Sequence, residues 1–189
     1  MVCFSLVCSY HVASAQVVES RVRKAIFDTL RTYANVTIEI GWNRHPNIIR
    51  FNKAAKIGLT QPYCSSYLLY GYHANMIFLP LVTPVAYSWK KRSRLVFYPA
   101  MLKDLEQAKQ RLKLMDVVVM TWSHVEGYVD IDIKRREIIT IAGNTRGGRR
   151  TEGCYYPIRR NLLYIHGIYN HISSYVQLHE AELSKQMSL

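Results

Sequence analysis

The sequence predicts an α+β domain in which helices come first and an antiparallel β-meander follows. Three features of the pattern predict this order. Four-residue apolar periodicity dominates the first part of the chain, an alternating pattern begins after Asp116, and only short turns separate the later apolar runs. The 189 residues suffice for one domain with a proper core. A composition of 49% hydrophobic and 20% charged residues is typical of a globular chain.

Helical signals fill the first half of the chain. Residues 17–35 predict an amphipathic helix, because apolar side chains recur there every four positions: Val18, Val22, Ile26 and Leu30. A second helix is expected over 46–57, since Pro46 suits a first helical position. Pro62 is expected to open a third helix. Shorter helical pieces are expected within 84–92 and 98–114.

Strand signals fill the second half. An apolar run predicts a buried strand over 117–120, and alternating residues predict a second strand from Val125 to Ile133. Two further strands are expected over 137–142 and 151–160. Because only short turns separate them, the four strands should form an antiparallel meander.

The chain ends are expected to lie outside the main domain, which should cover 16–165. Residues 1–15 resemble a secretory signal, since an uncharged apolar run ends in Ala13-Ser14-Ala15. No basic residue precedes that run, as expected if the basic start of the signal is missing from the sequence. The alternative interpretation of these residues is a buried first strand. Residues 166–189 are expected to form a polar, helical tail. We therefore predict a monomer that is secreted or held in the cell envelope, with no membrane span.

Cys64 is the first candidate for chemistry. It falls at the start of the predicted third helix, where backbone N–H groups are free and the helix dipole is positive. Both features favour a thiolate, which is the nucleophilic form of cysteine, and free N–H groups also stabilise an oxyanion. A buried cysteine that only fills space is the alternative interpretation.

His124 and Asn144 supply the other parts of a candidate site. His124 starts one predicted strand and Asn144 lies at the end of the next, so the two side chains are expected to face each other. An amide beside an imidazole fixes its tautomer and leaves the other nitrogen for a thiol proton. No cysteine or histidine spacing indicates a metal site, and no cofactor is expected.

Three sequence blocks resemble the cysteine- and histidine-dependent amidohydrolase/peptidase (CHAP) family. Residues 62–68 (PYCSSYL) are similar to its nucleophile motif, and Asp116-Val-Val-Val with Ser123-His-Val to its histidine block. Residues 141–145 (IAGNT) are similar to its third block, Ile-Glu-Gly-Asn-Thr. The resemblance extends from about residue 17 to residue 160.

The resemblance implies a papain-like fold and hydrolysis of an amide bond in bacterial peptidoglycan, as an N-acetylmuramoyl-L-alanine amidase or an endopeptidase. It implies that Cys64 is the nucleophile, His124 the base and then the acid, and Asn144 the residue that orients His124. Gln61, Tyr63 and Ser65 are further candidates for contact with the oxyanion or substrate. No metal or cofactor is implied. The net charge of +12 is suited to an anionic wall.

The chain departs from the family at Ala142, where many members carry Glu. Asn144 must then orient the imidazole, or catalysis is impaired; Glu126, on the His124 face, is another possible substitute. An impaired module that only binds wall peptides is therefore the alternative function. Residues 146–150 (RGGRR), with nearby tyrosines, also allow a basic protein that binds nucleic acid, although we expect no nucleic-acid partner.

Overall fold

The computed structural model describes the backbone of residues 3–186 and the side chains of residues 15–185. Within these limits the chain forms five α-helices: α1 (Cys3–Arg31), α2 (Pro46–Ala54), α3 (Cys64–Ala74), α4 (Leu105–Arg111) and α5 (Ile172–Gln186). The predicted signal over 1–15 lies almost wholly outside the residues whose side chains are described. No described helix is long and apolar enough to cross a bilayer.

The same residues form a six-stranded antiparallel sheet. Its strands are β1 (Leu95–Phe97), β2 (Val117–Met120), β3 (Val125–Asp132), β4 (Glu137–Thr145), β5 (Gly153–Asn161) and β6 (Ile165–Tyr169). Their order across the sheet is β1-β6-β2-β3-β4-β5. The fold is therefore α+β, and the predicted meander is present as β2 to β5.

The secondary structure differs from the expectations in three places. The tail predicted from residue 166 begins inside the sheet, because β6 pairs with both β1 and β2. Strand β1 was not predicted. The helical piece expected within 84–92 is a short 3-10 turn over Ala86–Trp89, whereas the piece expected within 98–114 is present as α4, which a 3-10 turn precedes.

Helix α3 is fixed closely against the sheet and against α1. A Cβ atom at Gly143 in β4 would lie 2.8 Å from the Cβ of Tyr67, so only glycine allows the helix to approach this near. The Tyr67 hydroxyl is buried and donates a hydrogen bond to the carbonyl oxygen of Leu30 at 2.6 Å. These contacts hold the first turn of α3 beside β3 and β4.

A buried ionic cluster joins α1 to the sheet and to the start of α5. Arg23 is 3% exposed and pairs through Nε with Glu19 at 2.7 Å and through Nη1 with Asp116 at 2.9 Å. Its Nη2 donates to Asn170 Oδ1 at 2.8 Å. One guanidinium thus satisfies groups from three parts of the chain that are far apart in sequence.

We expect Arg23→Met to lower the free energy of unfolding by about 3–5 kcal/mol, because it leaves the buried carboxylates of Glu19 and Asp116 without their shared cation. Urea denaturation followed by circular dichroism measures the change. Lys24→Met is the matched control: its ammonium pairs with Asp28 on an exposed surface, so the expected loss is below about 1 kcal/mol. Equal losses in the two variants would contradict a structural role for the cluster.

Candidate active site

Cys64 is the first residue of α3. The preceding residue, Tyr63, is the N-cap, and its side chain makes no capping hydrogen bond. The N–H of Tyr67 is bonded to the carbonyl of Tyr63 at 2.8 Å, so the N–H groups before it are free of helical partners. The thiol is 7% exposed and therefore lies in a largely dehydrated position where these groups act strongly.

His124 lies at the point where the chain enters β3. The imidazole is 6% exposed, and its Nε2 lies 3.1 Å from Oε1 of Glu126. The ring is also close enough to the thiol of Cys64 for each group to shift the pKa of the other. Because Glu126 occupies Nε2, the nitrogen that remains for the thiol is Nδ1.

Glu126 is fully buried and bonded on several sides. Its Oε2 accepts from Thr140 Oγ1 at 2.5 Å, and its Oε1 accepts from Arg160 at 2.5 Å (Nη2) and 2.9 Å (Nε). Val125 packs with the core on the α3 side of the sheet, so the alternation of β3 directs Glu126 to the other face. The carboxylate therefore holds the imidazole from behind.

The pKa values of these three groups move in the directions expected for a charged chain of hydrogen bonds. Burial opposes each charge, but neighbouring groups outweigh it. The pKa of Glu126 falls to about 2 through its bonds to His124 and Arg160. The pKa of His124 rises to about 9 through Cys64 and Glu126.

The thiol itself is shifted toward the thiolate. Burial raises the pKa of Cys64, but the interaction with His124 and its charge lower it by a larger amount. The backbone N–H groups of Val125 and Ser65 also lower it. The net pKa lies below the ordinary thiol value of 9.0. The arrangement thus favours a thiolate–imidazolium pair, which provides a nucleophile and a proton donor in contact.

Asn144 does not occupy the position predicted for it. Among the described residues, the hydrogen bond of the His124 ring goes to Glu126, and none goes to Asn144. Asn144 is half-buried with a left-handed φ of 55°, at an irregularity in the pairing of β4 with β5. The bend there removes Asn144 from regular strand alternation, on which the prediction depended.

The three further candidates lie around Cys64 in different ways. Tyr63 is fully buried and packs near Phe51, so its ring belongs to the core. Ser65 is also fully buried; its Oγ donates to the carbonyl of Thr83 and accepts from the indole of Trp89. Neither side chain can touch a substrate in this conformation. Gln61 is exposed, and its side chain packs over Gly58.

Arg160 and Thr140 are site residues that sequence reasoning missed. Arg160 lies on β5, which is separated from β3 by β4, so its contact with Glu126 depends on the length of the side chain rather than on strand pairing. The sequence held one signal for Thr140: it lies on the strand next to Glu126 in the predicted meander. A carboxylate on a buried strand needs hydrogen-bond donors nearby. In the described part of the chain, no group of three or more histidine, cysteine, aspartate or glutamate residues could hold a metal ion.

No protein-family model matches the chain, and neither a curated protein nor a solved structure shows significant similarity to it.

We expect Glu126→Gln to slow alkylation of Cys64 by iodoacetamide at pH 7 by about tenfold or more. A neutral amide no longer supports the charge on His124, so the thiolate fraction falls. Asn144→Ala should leave the rate within about twofold. Peptide-resolved mass spectrometry separates Cys64 from the other cysteines.

Glu137→Gln is the matched control for this experiment. It removes one carboxylate from the neighbouring strand, where Glu137 pairs with Arg159 at 3.4 Å on a more exposed surface. Its alkylation rate should equal that of the wild type. If the alkylation rate fell strongly in Asn144→Ala and stayed unchanged in Glu126→Gln, Asn144 would be the residue that orients His124.

Proposed function

We propose that this protein is a cysteine amidohydrolase or peptidase that cleaves an amide bond in bacterial peptidoglycan. The observation that carries the proposal is the series Cys64–His124–Glu126 at a free helix N-terminus, in which His124 is hydrogen-bonded to Glu126 and lowers the pKa of the Cys64 thiol. This arrangement has the three parts of a nucleophilic hydrolase: a thiolate, an imidazolium and an acid that orients it.

The geometry allows a two-step hydrolysis. Cys64 Sγ attacks the amide carbon, and the resulting oxyanion is stabilised by backbone N–H groups at the start of α3. His124 gives its proton to the leaving amine, the C–N bond breaks, and a thioester remains. Neutral His124 then takes a proton from water while the water oxygen attacks the thioester carbon. The C–S bond breaks, the carboxylic acid leaves, and the thiolate of Cys64 remains beside the imidazolium of His124.

The choice of peptidoglycan depends on the CHAP resemblance and on charge. The three blocks that carry the resemblance are the start of α3, the β2–β3 segment and the end of β4, and these elements meet around Cys64. The net charge of +12 attracts the protein to an anionic wall. We therefore also propose a papain-like architecture and a location outside the cell membrane, which the predicted signal over 1–15 would serve.

The alternative of an impaired binding module depended on Ala142. Gly127 pairs with Ile141, so residue 142 is next to Glu126 across the two strands. A carboxylate carried by β3 can therefore take the place of the one that many family members carry on β4. With Glu126 bonded to His124, the missing acid at position 142 no longer favours loss of catalysis.

We expect the protein to release new amino groups from purified peptidoglycan, and Cys64→Ala to release none. Mass spectrometry of the soluble fragments identifies the bond and measures the rate. Glu126→Gln should lower kcat by roughly a hundredfold or more. Cys154→Ala is the control, because Cys154 is buried with a raised pKa and takes no part in the site. Normal hydrolysis by Cys64→Ala would refute the mechanism.

The rate of hydrolysis should depend on pH through both partners of the pair. As pH rises through the lowered pKa of Cys64, the thiolate forms and the rate increases. As pH rises through about 9, His124 loses the proton that the leaving amine needs, and the rate decreases. A profile of kcat/KM from pH 4 to 11 measures both limbs. A decrease near pH 6.5 would show that the imidazole keeps its ordinary pKa.

A further inference from the structure

A cleft of about 480 Å³ lies between two loops of the chain. One wall is the segment 39–43, which follows the bridge between Ile38 and Gly153. The other wall is the 146–152 turn that connects β4 to β5. The two loops are bonded to each other, because Glu39 N–H donates to the carbonyl of Glu152 at 2.8 Å.

Each wall is joined directly to the catalytic elements. Asn43 Nδ2 donates to the carbonyl oxygens of Thr60 at 3.1 Å and Gln61 at 3.4 Å, in the turn that leads into α3. On the other side, Thr145 precedes the second wall, and its Oγ1 accepts from the Arg160 guanidinium that holds Glu126. The two walls are therefore bonded to the turn that leads to Cys64 and to the arginine that holds Glu126.

Trp42 presents its ring openly at the cleft. It is 82% exposed, although burying an indole is normally favourable. The backbone is left-handed at Gly41, Trp42 and Asn43, with φ values of 33°, 58° and 60°, which is unfavourable for a bulky residue. Hydrogen bonds within the loop, from Asn43 N–H to Glu39 Oε1 and from Arg44 N–H to the carbonyl of Ile40, hold this conformation.

Two arginines supply the charge of the cleft. Arg146 is paired only loosely, with 3.8 Å between its Nε and Oε1 of Glu152. Arg150 is exposed and makes no ion pair with any residue whose side chain is described. A free guanidinium binds a carboxylate through two parallel hydrogen bonds. The carboxylates of Glu39 and Glu152 in the same walls disfavour a polyphosphate chain and favour a small, singly charged group.

We propose that this cleft binds a carboxylate of the substrate beside the cleaved amide, with Arg150 as its partner and Trp42 covering the adjoining peptide. The inference rests on the proposed function, because it concerns the substrate of the same site. It makes Arg150 a specificity residue: the enzyme prefers peptide stems with free carboxylates over stems in which these are amidated.

The test compares soluble wall fragments before and after chemical amidation of their carboxylates. Arg150→Gln should raise KM for the carboxylate fragments by roughly ten- to a hundredfold and leave hydrolysis of the amidated fragments unchanged. Trp42→Ala should raise KM for the carboxylate fragments, and Trp42→Phe should restore it. Arg111→Gln is the matched control, since it removes one exposed arginine from α4, away from the cleft.

An equal rise in KM for the carboxylate fragments in Arg150→Gln and Arg111→Gln would show that only the net charge of the protein matters. That result would overturn the inference. A loss of equal size on both kinds of fragment would overturn it as well. Preferential binding of single-stranded DNA, abolished by Arg150→Gln, would replace it with a nucleic-acid site.

Binding to Cys64→Ala separates this inference from the proposed function. Carboxylate fragments should quench the tryptophan fluorescence of this variant, and amidated fragments should not. The part of the signal that is lost when Trp42→Phe is added belongs to Trp42. Binding that depends on Arg150, in a protein whose wild type cleaves nothing, would support the cleft and refute the hydrolase. Cleavage without any preference for carboxylate fragments would support the hydrolase and refute the cleft.

Discussion

The site depends on one buried carboxylate. Glu126 is fully buried and would be costly there as a charge without compensation. Arg160, Thr140 and His124 provide that compensation through hydrogen bonds, and the bonds and charges of His124 and Arg160 lower its pKa to about 2. Because Arg160 keeps Glu126 ionised, the carboxylate can stabilise a positive charge on the imidazole. That charge in turn lowers the pKa of Cys64, so the reactivity of the thiol is set from the far face of the sheet.

Close packing between α3 and the sheet brings Cys64 and His124 together. Gly143 lets α3 approach β4, and this contact places the free N–H groups of the helix beside the start of β3. The same glycine belongs to the Gly-Asn-Thr block that resembles the CHAP pattern. Its role in the structure is steric: it lets Tyr67 of α3 lie against β4, three residues after Cys64. The cluster around Arg23 then fixes α1, against which α3 also packs.

Local pattern predicted much of this structure, and long-range geometry accounts for what it missed. The meander and the position of Cys64 followed from periodicity and helix-end signals. Strand β6 was missed because the polar residues around it, such as His166 and Asn170, resemble a tail, and it pairs with strands far away in sequence. Glu126 was ranked below Asn144 because strand neighbours were assumed to face each other; the bend at Asn144 and the reach of Arg160 are not visible in sequence.

The most direct test of the central claim is the protonation of His124, measured by nitrogen-15 NMR of histidine-labelled protein. The imidazole should carry two protons at pH 7.5 and lose one near pH 9, because Cys64 and Glu126 hold its charge. Cys64→Ala should lower that pKa. A neutral ring at pH 7.5, with a pKa near 6.5 in wild type and variant alike, would contradict the account.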